Sequence, residues 1–281
     1  VPRSDSVRPS GRPVSTVTMP TPVPAPSRLL TVLEVRALGE RLLLSATSPL
    51  LQNLPAGDGH PVLVLPGFTA DDRSTDPLRM LLTDLGYAAV GWGLGSNLGP
   101  TPRVVSGITE LLHATTAEFG APVSIVGWSL GGLFGRELAR QEPQSVRQVI
   151  TLGSPIQMVN GDRAAVSPLW NSLRHTFDGD LVRVAGAQDR PPLPLPTTSI
   201  YTRTDGIVHW RSCLEYQRTD AENVEVYGSH CGLGFNPSVL YVVADRLAQP
   251  AGAWKPFSAP LFLWGLFPRS ANLRAPEVAG T

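Results

Sequence analysis

Apolar residues in this chain fall into short unbroken runs, and the runs are separated by stretches of helical periodicity. His60-Pro61-Val62-Leu63-Val64-Leu65-Pro66-Gly67-Phe68 has an apolar centre without polar alternation, the pattern of a strand covered on both faces of a parallel sheet. Further strands are predicted at 87–92, 123–127, 146–152, 198–202 and 223–227. Helical spacing predicts helices at 77–85, 104–119 and 130–141. A last one starts at Asn236-Pro237, with proline in the favoured first helical position, and runs to 247. Strands alternating with helices imply right-handed crossovers and a mostly parallel sheet. The expectation is an α/β fold with six strands flanked by helices.

Four segments stand outside that rhythm. Residues 1–27 are rich in Pro, Ser, Thr and Val and lack an apolar run long enough for a signal-peptide core, which predicts a disordered tail. Residues 27–51 carry Leu29, Leu30, Leu33, Leu38, Leu42 and Leu43 at helical spacing, which predicts one amphipathic helix packed on the body. Residues 154–196 are a long excursion between two strands, with a short helix expected at 167–175 and a proline cluster at 191–196. Such an excursion is either a cap-like functional insertion or an ornamental one. Residues 251–281 form an apolar extension. Its Ala259-Pro260-Leu261-Phe262-Leu263-Trp264-Gly265-Leu266-Phe267-Pro268 run either packs on the protein surface or touches a lipid surface. No apolar stretch reaches the ~18 residues of a spanning helix, so no transmembrane segment is expected. The predicted organisation is a tail at 1–27, one domain at 28–250 with the insertion at 154–196, and the extension at 251–281.

Composition narrows the partners. A length of 281 residues suits one large α/β domain. Lys plus Arg and Asp plus Glu balance at 23 each, so no net field favours nucleic acid, and an uncharged organic substrate is the easier fit. Cys213 and Cys231 are too few for a disulfide scaffold and lack metal-site spacing. Either each is a small buried residue, or the two form one bridge, which would imply an oxidising, secreted setting. Without a visible signal peptide the expected location is cytoplasmic.

The chemistry concentrates around one serine. Val123-Ser124-Ile125-Val126-Gly127-Trp128-Ser129-Leu130-Gly131-Gly132 is a buried strand ending in Gly-x-Ser-x-Gly and then a helix, the context of the nucleophile elbow of α/β-hydrolases. A serine there must hold a strained turn that lifts its hydroxyl clear of the sheet, with Gly127 and Gly131 allowing close backbone approach. A serine hydroxyl needs a base within reach, and the base needs a carboxylate to hold its tautomer. In that fold the acid and then the histidine follow the serine. His175 lies inside the excursion, and His209 is only four residues past Asp205. His230, in Tyr227-Gly228-Ser229-His230-Cys231-Gly232, follows a strand between glycines. Asp205 stands on the loop after the preceding strand, at the carboxyl edge where open α/β sheets bind ligands. Asp220 and Glu222 precede the next strand, and Asp178, Asp180 and Asp189 belong to the excursion. Ser129, Asp205 and His230 are the predicted catalytic residues.

Five ordered motifs carry a resemblance that covers about residues 60–248: Val-Leu-Val-Leu-Pro-Gly-Phe at 62–68, Gly-Trp-Ser-Leu-Gly-Gly at 127–132, Thr-Leu-Gly-Ser-Pro at 151–155, Ser-Ile-Tyr-Thr-Arg-Thr-Asp-Gly-Ile-Val at 199–208 and Gly-Ser-His-Cys-Gly-Leu at 228–233. The chain resembles the α/β-hydrolase superfamily, and within it compact bacterial lipases and esterases. The resemblance implies a reduced α/β-hydrolase fold with a cap-like insertion, since no room remains before Val62 for the antiparallel pair of larger members. It implies an oxyanion hole from the backbone N–H groups of Phe68 and Leu130. It also implies an ester substrate with an apolar acyl group, and neither cofactor nor metal. Two positions depart from the family pattern: Pro66-Gly67 replaces His-Gly, and Trp128 replaces the histidine before the serine. Trp128 is expected to border the substrate pocket. An acyltransferase or thioesterase could use the same triad, and a non-catalytic binding protein could share the fold.

Overall fold

The structure, a computed structural model, describes residues 15–17, 23–51, 54–158, 163–176 and 191–273. A short strand β1 (Ser15–Val17) precedes two helical segments, α1 (Arg28–Val32) and α2 (Ala37–Leu51), joined by a 3₁₀ turn at Leu33–Arg36. Then strands and helices alternate: β2 (Pro61–Leu65), α3 (Asp72–Asp84), β3 (Ala88–Gly91), α4 (Pro102–Phe119), β4 (Val123–Trp128), α5 (Leu130–Gln141) and β5 (Val146–Leu152). The chain leaves the sheet for α6 (Ser167–Leu173) and returns as β6 (Thr197–Tyr201) and β7 (Ala221–Glu225). It ends with α7 (Pro237–Leu247), a 3₁₀ turn at Leu261–Leu266 and β8 (Ala271–Leu273).

Six strands form one sheet in the order β3-β2-β4-β5-β6-β7, and every neighbouring pair is parallel. Successive side chains of a strand point to opposite faces. In β2, Val62 and Val64 join Leu78 and Leu82 of α3 and Val239 and Val243 of α7, whereas Leu63 and Leu65 join Ile108 and Leu112 of α4 and Phe134 and Leu138 of α5. The unbroken apolar runs thus follow from a sheet covered twice. Because all six strands run the same way, their carboxyl ends share one edge. The loops after β2, β4, β5, β6 and β7 meet there.

The predicted elements are present with several differences. Helix α3 begins at Asp72 rather than at Pro77, because the Asp71 side chain accepts from Arg73 N at 3.0 Å and caps the first turn. Pro77 therefore sits inside the helix. The predicted 27–51 helix is interrupted by the 3₁₀ turn, and most of the leucines of its expected stripe are exposed. Leu38 is 68% and Leu42 74% exposed, and Leu29, Val32 and Val35 are exposed as well. Ala37, Leu44 and Leu51 of α2 pack on the core, and Glu34 is buried beside them because its carboxylate finds backbone donors on the body that no leucine could satisfy.

Within the segment expected to be a disordered tail, Ser15–Val17 pairs in parallel with Ala271–Leu273, and Val17 packs against Ala271 and Leu273. Residues 1–14 lie outside the described residues. In the apolar extension Leu263 and Phe267 pack against the core, while Phe262 is 84% exposed. The bridge weighed for the cysteines is not formed. Cys213 is a buried free thiol beneath Tyr201 and Leu214, and Cys231 is a free thiol on a different loop. Among the described residues no helix is long and apolar enough to cross a membrane.

Candidate active site

Ser129 occupies the turn between β4 and α5 with φ 52° and ψ −117°, outside the regions open to an unstrained L-residue. Two close approaches hold it there. A Cβ on Gly127 would overlap the Gly132 backbone, and a Cβ on Gly131 would overlap the carbonyls of Leu65 and Pro66. The serine amide donates to Leu152 O at 2.8 Å, which ties the turn to the end of β5. Ser129 is half-buried, and among the described residues its hydroxyl makes no hydrogen bond.

Asp205 and His230 meet at the same edge. Asp205 lies on the loop after β6, is 2% exposed and has both carboxylate oxygens occupied. Oδ1 accepts from Ile207 N and Val208 N, both at 2.8 Å, and Oδ2 lies 2.6 Å from His230 Nδ1. The two amides prevent the carboxylate from rotating, so Nδ1 keeps its proton toward Asp205 and leaves Nε2 as the free acceptor. His230 is buried on the loop after β7, and its ring lies against Gly153, the residue after β5. Ser129 and His230 therefore bracket the end of β5. Burial alone would depress the His230 pKa. The Asp205 charge and hydrogen bond, with the charge of Glu34 behind them, outweigh burial and hold it above the ordinary 6.5.

The loop after β2 is braced by a residue that sequence reasoning missed. Asn97 is fully buried; its Nδ2 donates to Pro66 O at 2.8 Å, its carbonyl accepts from Thr69 N at 2.7 Å, and its amide donates to Ala70 O at 2.8 Å. Thr69 is held at φ 67° in consequence. Between these anchors, Phe68 N has no acceptor among the described residues, and neither does Leu130 N at the first position of α5. The Phe68 ring meets Trp170 of α6 edge-on, with centroids 5.4 Å apart. The described part of the 154–196 insertion thus packs on this loop. Trp128, expected to border the pocket, is buried under the histidine loop. Its indole N–H donates to His230 O at 3.1 Å and its ring meets Phe235 edge-on.

No protein-family model and no curated protein matches this sequence. Solved structures match it in fold. Lipase B of Aspergillus fumigatus superposes with a TM-score of 0.50 at 17% identity, over 70% of this chain and 54% of that one, so the chain spans about half of that lipase. The chain has the α/β-hydrolase fold. An α/β-hydrolase enzyme from the metagenome of Mar Chica lagoon sediments, in Morocco, aligns at a TM-score of 0.43 and 18% identity, over 68% of this chain and 90% of its own. A thioesterase domain from the curacin biosynthetic pathway aligns at 0.44 and 14%, over 70% and 92%.

Within this α/β-hydrolase fold the other residues weighed from sequence have different employment. His209 accepts from Arg211 N at 3.3 Å and stacks beside Trp210, and His175 is exposed. Asp220 pairs with Arg218, and Glu222 with Arg246. Asp178, Asp180 and Asp189 lie outside the described residues. A hydrogen-bonded serine–histidine–aspartate chain lies at the opposite edge: Ser124 Oγ is 2.8 Å from His60 Nε2, and His60 Nδ1 bonds Asp58. Ser124 is completely buried inside β4, so no substrate can reach it. Among the described residues no cluster of three or more His, Cys, Asp and Glu side chains is arranged to hold a metal ion.

Proposed function

We propose that the protein is a serine hydrolase that cleaves carboxylic esters through an acyl-enzyme. The observation that carries this reading is the buried 2.6 Å Asp205–His230 pair beside the strained Ser129 turn, all at the carboxyl edge of the sheet. Ser129 Oγ attacks the ester carbonyl and gives its proton to His230 Nε2. The carbonyl oxygen takes the negative charge and is stabilised by the N–H groups of Phe68 and Leu130. The tetrahedral intermediate collapses, and the departing alkoxide takes the proton from His230 and leaves as the alcohol. Water then attacks the acyl-enzyme and passes a proton to His230, and collapse returns that proton to Ser129 and releases the carboxylic acid. Asp205 holds the histidine tautomer and stabilises the imidazolium in both half-reactions. The serine–histidine hydrogen bond, open in the free protein, closes as substrate fills the site.

The aromatic pair of Phe68 and Trp170, next to the Phe68 amide, supports an apolar acyl group. Turnover of p-nitrophenyl esters from acetate to long acyl chains, with Ser129→Ala alongside, tests the reading. Wild-type turnover that Ser129→Ala abolishes is the expected result; equal turnover by the two proteins contradicts it.

A further inference from the structure

The loops that carry Asp205 and His230 contain backbone amides that the sheet does not satisfy. A buried amide without an acceptor costs roughly 1–3 kcal/mol, so their partners define what holds the loops in place. Three of them converge on one side chain. Glu34, on the 3₁₀ turn between α1 and α2, accepts at Oε1 from Gly206 N at 2.8 Å and His230 N at 3.0 Å, and at Oε2 from Cys231 N at 2.8 Å. Its residue is only 8% exposed. One carboxylate oxygen therefore binds both the residue after Asp205 and His230 itself.

The surrounding contacts reinforce this clamp on both sides. Arg36 donates to Thr204 O and to Gly228 O, and Thr31 Oγ1 donates to Gly206 O at 2.8 Å. Glu40 accepts from Ser229 N at 2.7 Å, Ser229 Oγ at 2.6 Å and Asn236 Nδ2 at 2.9 Å. The approach leaves no space: a Cβ on Gly206 would overlap the Leu30 backbone. The N-terminal helical segment thus sets Thr31, Glu34, Arg36 and Glu40 onto the two loops, while Leu38 and Leu42 face outward.

We propose that Glu34 is a positioning residue for the Ser129 reaction: its buried carboxylate locks the Asp205 and His230 loops to each other and adds a second negative charge behind the imidazole. This rests on the serine-hydrolase reading for its consequence in catalysis, but not for the effect on the imidazole. The charged and titratable groups facing His230 are Asp205 and Glu34, with Glu40 and Arg36 one step further out and the Cys231 thiol adjacent in the chain. Burial, and then the Glu34 charge, push that thiol up to about 12, so it stays neutral across the working range. The Glu34 charge also contributes to raising His230. Removing it lowers the His230 pKa.

Glu34→Gln is the direct test, because the amide keeps the shape but loses the charge and turns a donor toward Cys231 N. A titration of the His230 ring by NMR in the intact chain reads the first effect and needs no substrate. The His230 midpoint moves down in Glu34→Gln, and an unmoved midpoint overturns the proposal even if the wild type proves inactive on esters. With an active wild type, kcat/KM falls on the order of 10- to 100-fold as the base shifts off line, and the acid limb of the pH profile moves down with the NMR midpoint. Glu34→Asp serves should Glu34→Gln not fold. It retains the charge but shortens the reach, so the midpoint stays near wild type while kcat drops; an unchanged kcat overturns the proposal. Leu38→Ser, on the exposed side of α2, alters neither quantity. An equal effect from Leu38→Ser assigns the result to the helix at large and overturns the role of Glu34.

Discussion

Asp205 has two oxygens and three partners, and this allocation decides what the neighbouring histidine can do. With Ile207 N and Val208 N on Oδ1, only Oδ2 is left for His230 Nδ1. Replacing the carboxylate by an amide keeps the size but offers one oxygen where two are used, and it favours the wrong imidazole tautomer. Asp205→Asn is therefore expected to lower kcat by about 10⁴-fold, as the equivalent change does in the serine-protease template, with a wild-type melting profile within a few degrees. Retention of full activity would move the acid to another residue. The pH dependence follows from the same pair. His230 must be neutral to act as a base and its pKa is raised, so kcat/KM rises with pH through a midpoint above 6.5. Asp205→Asn removes the charge that, with its hydrogen bond and the Glu34 charge, offsets burial, and so shifts that midpoint down; an acid limb below 6.5 in the wild type contradicts this electrostatic account.

Helices and strands place these residues through contacts that only some residue types permit. At the turn from β4 to α5, Gly131 lies against the carbonyls of Leu65 and Pro66, so α5 can start directly beneath the loop that carries Phe68. A methyl group there must push α5 from β2. Gly131→Ala is expected to destabilise the fold by roughly 1–3 kcal/mol and to reduce activity more than stability, because Phe68 N and Leu130 N separate; thermal unfolding and ester turnover measured together check both. The alternation of elements was legible from sequence because burial on both faces leaves no other pattern for the strands. Helix α3 was legible except for its start: the helical spacing is read from Pro77, whereas the Asp71 cap lies six residues earlier. The leucine stripe of 27–51 pointed the wrong way because periodicity identifies an apolar face but not what that face meets. The partners of Glu34 are loop amides distant in sequence, and no local pattern announces them.

Across the whole molecule, parallel strand direction gathers the ends of β2, β4, β5, β6 and β7 at one edge, and the candidate site is assembled there. Ser129, Asp205 and His230 could be named as candidates from sequence because each lies on the turn or loop that follows a predicted strand: Ser129 directly after β4, Asp205 and His230 on the loops after β6 and β7. Asn97 and Glu34 could not, since each acts through backbone groups brought near only when the sheet and its N-terminal helices assemble. The same assembly separates the Asp205–His230 pair at the carboxyl edge from the hydrogen-bonded Ser124–His60–Asp58 chain, which is sealed inside β4 at Ser124. Reaction of the intact protein with a fluorophosphonate, followed by peptide mass mapping, asks which serine is activated. A single adduct on Ser129, with parallel loss of ester turnover, is the predicted result; a folded protein that stays unlabelled, or that carries the adduct on another serine, contradicts the account.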